Sequence, residues 1–176
     1  MPQCPREEYT LFDIHMDSAV IPALSTMMMD KSKPMLPAEV CLMERIVEFF
    51  EIPENSNTLV GILTRRHPVS LRALDRFVTR YSKTHRQEVS DATGNPIDLY
   101  TAYKAALKGY HKTYFDPYAR TPAVQYPVCE ESRGMTGSPV IRTTLAQLNF
   151  IRWAIRIGAV KLCETHIASG SFACSP

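Results

Sequence analysis

The chain has 176 residues, 45% hydrophobic and 22% charged, the proportions of a folded protein with one core and not of a disordered one. Its net charge of +2 is sorted along the sequence: residues 1–60 hold four Lys/Arg against ten Asp/Glu, residues 61–120 eleven against five, and residues 121–176 five against three. An acidic end beside a basic middle speaks for association with a polyanion, a copy or a neighbour, and no apolar run approaches the ~18–20 residues of a membrane span.

In chain order, residues 1–35 give the weakest pattern. Tyr9 to His15 reads as a short extended segment, and Pro22 opens a helix through Met29. Pro37 opens a clearer helix to about Glu51, with Val40, Met43, Ile46, Val47 and Phe50 at helical spacing. The apolar run 58–63 reads as a short strand or tight turn. A second clear helix runs from the cap Ser70 to about Lys83: Leu71, Leu74, Phe77, Val78 and Tyr81 form its apolar stripe, and Arg72, Arg76, Arg80 and Lys83 line another face. A third has Asn95 as its expected cap and Pro96 as its first residue; it places Leu99, Tyr103, Leu107 and Tyr110 inward and stacks Lys104, Lys108 and Lys112 outward. Residues 116–141 form a long connector rich in Pro, Gly and Ser, a type of segment that is usually functional when it occurs in a compact domain. Thr143 or Thr144 caps the most apolar helix, in which Asn149, Arg152 and Arg156 are the only polar strip, expected to meet backbone or acidic groups such as Glu44 or Glu48. Gly158 stops it, and a shorter helix spans 159–168.

These elements predict a mainly α, single domain over 1–176 with about four to six helices. Any minor β element comes from 9–15 and 58–63. The core gathers Trp153, Phe150, Leu148, Ile155, Leu74, Phe77, Leu107 and Tyr110.

No catalytic constellation accompanies the fold. Gly134 to Pro139 is neither a phosphate-binding loop nor a nucleophile elbow, and the pairs Glu7–Glu8 and Glu130–Glu131 read as solvated loop charges. Cys163 and His166, with Cys174 nearby and Cys129 further off, offer one ligand pair where structural zinc usually takes two. The five cysteines are scattered and odd in number, and the polar start Met1–Glu8 lacks a secretory signal, so a reducing compartment and no disulfide framework are expected. No cofactor, metal or small-molecule substrate is expected.

Basic residues carry the stronger signal. Arg72, Arg76, Arg80 and Lys83, with Lys104, Lys108 and Lys112 and the run Arg65–Arg66–His67, form a cationic face suited to phosphates or to acidic protein. Tyr114, Phe115, Tyr118 and Tyr126 are the apolar anchors expected to meet a partner, whether a copy of the chain or another protein.

Three stretches carry a resemblance: Ser70–Lys83; Tyr103–Lys112 with Phe115-Asp-Pro-Tyr118; and Thr143–Ile155, of which Gln147-Leu-Asn-Phe-Ile-Arg-Trp-Ala154 is the most specific part. Over about 70–157 the chain resembles small proteins of nucleocytoplasmic large DNA viruses, the iridovirus, marseillevirus and mimivirus group. The resemblance implies a product of a cytoplasmic viral factory and brings no activity with it. Together with the sorted charge it gives the expectation of a non-enzymatic structural protein of the virion, a minor capsid or inner-shell component. Sequence-independent nucleic-acid binding by the basic face of 65–112 is the alternative.

Overall fold

A computed structural model of the chain describes residues 36–90, 93–120, 122–127 and 140–173. Helix α1 (Pro37–Phe50) starts where the sequence places it: Pro37 takes the first helical position, and Glu39 reaches back to accept the Leu36 N–H at 2.9 Å. Helix α2 (Pro53–Thr64) replaces the strand or turn expected at 58–63. Leu59 and Ile62, three apart, are its buried face. The helix ends at Arg65, whose left-handed backbone (φ 60°) lets Arg66 and His67 donate to the Gly61 carbonyl. His67 then lies over Gly61 so closely that a Cβ there would sit 3.1 Å from the His67 Cβ.

Helix α3 runs on without a break through Leu71–Arg76, Phe77–Tyr81 and Ser82–Thr84, and its middle five residues are π-helical. Ser70 caps it, accepting from the Ala73 N–H at 3.2 Å. Strands β1 (Glu88–Ser90) and β2 (Pro96–Asp98) then pair antiparallel, Val89 opposite Ile97. This pairing moves the start of α4 (Leu99–Tyr110) three residues past the expected Asn95 cap. Asp98 caps instead, its Oδ2 accepting from both the N–H and the hydroxyl of Thr101 at 2.9 Å. A short 3₁₀ turn (Lys112–Tyr114) follows.

Strands β3 (Ala123–Pro127) and β4 (Val140–Thr144) form a second antiparallel pair, with Gln125 opposite Arg142. The expected connector 116–141 therefore carries a strand and the start of its partner. The minor β element is here and at β1–β2; of the two segments expected to supply it, 58–63 is helical and 9–15 lies outside the described residues, as does the helix expected through Met29. Thr144 caps α5 (Leu145–Arg156), accepting from the Gln147 N–H at 3.2 Å. Gly158, at φ 76°, turns the chain into α6 (Ala159–Ala168).

The fold is mainly α, and α5 is its axis. Leu145, Leu148, Phe150, Ile151 and Ala154 are all fully buried, and α1, α2, α6 and the 3₁₀ turn pack around them. Asn149 and Arg152 are buried with them. The Arg152 guanidinium donates to the Asn149 Oδ1 (2.9 Å), the Tyr110 hydroxyl (3.1 Å) and the Arg45 carbonyl (3.4 Å), and the Asn149 amide donates to the Tyr114 carbonyl at 2.8 Å. The expected contacts to backbone are present; neutral groups take the places expected for Glu44 and Glu48. Arg156 lies at the surface. Phe115 is the hub of an aromatic cluster, its ring centroid 5.3 Å from Trp153 and 5.6 Å from both Tyr110 and Phe150. Of the core expected from sequence, Leu74, Phe77, Leu148 and Phe150 are fully buried, while Trp153, Ile155, Leu107 and Tyr110 are half-buried and pack against it.

Truncating the hub should therefore be the most damaging aromatic change. Phe115→Ala is expected to cost ~3–5 kcal/mol in urea unfolding, as a large-to-small core substitution, and half-buried Trp153→Ala distinctly less. Equal costs would mean that Phe115 is not the hub.

Candidate nucleic-acid interface

The basic stripe of α3 forms one wall of a cleft. Arg72, Arg76 and Arg80 recur every four residues, and in a regular α-helix that spacing drifts by about 40° around the axis at each step. The wider π-helical turn at Phe77–Tyr81 takes back part of this drift, so Arg80 stays on the same side as Arg72 and Arg76. All three line a cleft of about 900 Å³, together with Arg65, Arg142, Ser70, Gln147 and Tyr118. Arg65 arrives from the left-handed end of α2, and Arg142 from β4, held in place by its register opposite Gln125. Arg65, Arg72, Arg80 and Arg142 are exposed and Arg76 is half-buried. Five arginines against one acidic side chain, Asp75, make this a strongly positive concavity. A second depression, lined by Tyr81, Thr84, Ser171 and Phe172, shares Arg76 and Arg80 with the first and prolongs it along α3.

The other sequence-predicted residues lie elsewhere. Lys83 borders a separate shallow depression with Arg86 and Asp98. Lys104 and Lys108 flank another on α4. Lys112 lies 3.7 Å from the Asp116 carboxylate, with its side chain largely in solvent. Of the four expected aromatic anchors, Phe115 is in the core. Tyr126 is buried too, edge-on to Phe50 and with its hydroxyl 3.1 Å from that of Ser56. Tyr114 is half-buried and donates to Glu39 at 3.0 Å. These three serve the fold and are unavailable to a partner. Tyr118 alone is well exposed, at 54%, and it stands at the cleft. Arg142, Asp75 and Gln147 had no local signal, because strand pairing and helix packing bring them to the cleft.

Asp75 is the cleft's odd member. Burial pushes its carboxyl above the ordinary value of 3.8, the Asp116 charge pushes the same way, and Arg80 opposes them. Cys163 is buried in the core, and His166 has Ser171 at 2.6 Å on Nδ1 and Gln87 at 2.8 Å on Nε2, so these residues serve packing and hydrogen bonding. Cys129, Cys174, Glu130, Glu131 and the Gly134–Pro139 turn lie outside the described residues. Among the described residues no group of three His, Cys, Asp or Glu is placed to hold a metal ion, and no helix is long and apolar enough to cross a membrane.

A small, mainly helical protein with an arginine-lined cleft is the class these features define. Residues 30–171 match a family of unknown function, DUF7197, and the chain belongs to it. It is similar to an uncharacterised protein of Acanthamoeba polyphaga mimivirus, 30% identical over 137 residues, which are 74% of this chain and 51% of that protein. The chain thus spans about half the length of this relative. No solved structure matches it.

The raised Asp75 value has a definite sign. The folded state holds that proton more tightly than the unfolded chain, so Asp75 lowers stability as pH rises from 3.8 through its raised value. Asp75→Asn should therefore raise the urea midpoint at neutral pH, and the gain should vanish below the ordinary aspartate value. A gain that stays constant down to strongly acid pH would contradict the assignment.

Proposed function

We propose that this chain is a viral protein without enzymatic activity that binds nucleic acid through its phosphates, independent of base sequence. The viral assignment rests on the similarity to the mimivirus protein, and extends to the wider group of large DNA viruses that the sequence resembles. The observation that carries the binding function is the cleft itself: five arginines from α2, α3 and β4 converge there around one carboxylate of raised pKa. Guanidinium forks match phosphate oxygens in pairs, and each neutralised phosphate releases counterions, which yields salt-sensitive affinity without base readout.

Gel-shift and anisotropy titrations test this. The affinity should fall steeply with salt, the log–log slope losing about 0.7–0.9 for each arginine contact removed. Arg72→Glu, Arg76→Glu and Arg80→Glu together should abolish binding, whereas Lys104→Glu with Lys108→Glu, on a different depression, should change it far less. Protein that shifts no nucleic acid even at low salt ends this reading.

A second reading is favoured by the opposite face. Glu44, Glu48, Glu51 and Glu54 lie on α1 and at the start of α2, beside the exposed apolar Leu36 (55%), Val40 (38%) and Ile52 (52%). Acidic and apolar groups on one side and a basic cleft on another suit head-to-tail docking of copies or neighbours in a virion, as a minor capsid or inner-shell protein made in the host cytoplasm. Mass spectrometry of purified particles decides it: stoichiometric retention after salt and detergent stripping supports a structural role, and absence from the particle removes it.

A further inference from the structure

The geometry points to single-stranded nucleic acid, not duplex, as the ligand of the arginine cleft, with a base stacked on Tyr118. This inference rests on the phosphate-binding reading above and adds to it the strand state of the ligand. Tyr118 is one of the few large apolar side chains that the described residues leave in solvent, and it is the aromatic residue of the arginine cleft. Its backbone is fixed locally: the Tyr118 N–H donates to Asp116 Oδ1 at 2.9 Å, and the Ala119 N–H to the Asp116 carbonyl at 2.9 Å, so the ring stands on an ordered turn.

The shape of the site supports the same choice. A duplex presents its phosphates on a broad convex surface, which meets flat or protruding basic faces. Here the arginines line a concavity, and the row Arg72, Arg76, Arg80 advances about 6 Å per step, four residues at 1.5 Å each. That is close to the spacing of successive phosphates on an extended single strand. The second depression continues the row past Arg80 toward Thr84 and Ser171, so the track is longer than one phosphate site. A basic groove that follows one backbone, with an aromatic face on which unpaired bases stack, is the arrangement single strands require. Paired bases are already stacked and cannot offer a face to Tyr118.

Fluorescence anisotropy with the intact chain tests the inference. The probes are labelled oligodeoxythymidylate and oligouridylate, both long enough to cover a site of roughly 4–16 nucleotides, and a blunt duplex of matching length. The two single-stranded arms separate DNA from RNA as the source of the same backbone. At equal salt, the protein should bind at least one of them on the order of tenfold more tightly than the duplex, the scale of one base–aromatic stack. Tyr118→Ala should erase that preference while leaving the salt slope unchanged, and Tyr118→Phe should keep it. Circular dichroism confirms that each variant is folded. Equal affinity for duplex and single strands, or a preference that survives Tyr118→Ala, overturns the single-strand inference and leaves phosphate binding standing. Failure to bind any of the three probes at low salt overturns both.

Discussion

Arg152 is a cation in the middle of a hydrophobic helix, and the rest of the structure is arranged around satisfying it. Burial pulls its guanidinium below the ordinary arginine value, and the neighbouring Arg156 and Arg45 act in the same direction, while Tyr110 opposes them. A buried charge without hydrogen bonds costs several kcal/mol, so its donors need acceptors in fixed places. They find Asn149 on the same helix, Tyr110 at the end of α4 and the Arg45 carbonyl of α1; only Nε is buried without a partner. Asn149 relays the network to the Tyr114 carbonyl of the 3₁₀ turn. Four separate parts of the chain are thus tied to one side chain. Apolar packing alone would hold these helices together with less control over how they rotate against one another.

The same anchoring reaches the surface cleft. β4 leads directly into α5, so the position of α5 fixes the strand that carries Arg142, and Gln147 of its first turn lines the cleft wall. On the other side, α6 holds α3 through contacts between the helices and through rings: Phe77 and Tyr81 lie 5.4 Å from the His166 ring. His67, on the loop between α2 and α3, has its Nε2 at 3.1 Å from the Glu164 carboxylate of α6. Arginines from three elements therefore face one another because the elements beneath them are pinned to α5 and α6. A site on a surface this well supported spends little of its affinity on ordering.

How much of this was legible in the sequence varies with the range of the interaction involved. Helices α1, α3, α5 and α6 announce themselves through short-range signals: an apolar stripe, a Pro or Ser start, a Gly stop. Helix α2 does not, because its first turns, Pro53 to Thr58, are polar and its apolar half is a dense Leu-Val-Gly-Ile-Leu run that imitates a strand. Only the spacing of Leu59 and Ile62 betrays it. The start of α4 was misjudged for a related reason: Asn95 is a sound local cap, but β1 recruits Pro96–Asp98, and a cross-strand pairing outweighs a local preference. In the cleft, the Arg72/Arg76/Arg80 row was visible as a helical stripe. Arg142 was hidden in an apparent connector, and nothing local separated exposed Tyr118 from buried Phe115, three residues earlier.

The π-helical stretch in α3 amounts to one residue more than an α-helix of the same length would hold, and it makes the helix sensitive to length as well as to composition. Losing a single residue between Phe77 and Tyr81 would let the segment relax to α-helix and swing everything after it by about 100°. Arg80 would leave its row, and the Tyr81 and His85 rings, now stacked 4.4 Å apart, would turn away from the Phe172 and His166 side of the core. Point substitutions along this helix trade one side chain for another. A one-residue deletion would change the direction in which its whole second half faces, so among relatives of this protein the spacing between Ser70 and His85 should vary less than the residues that fill it.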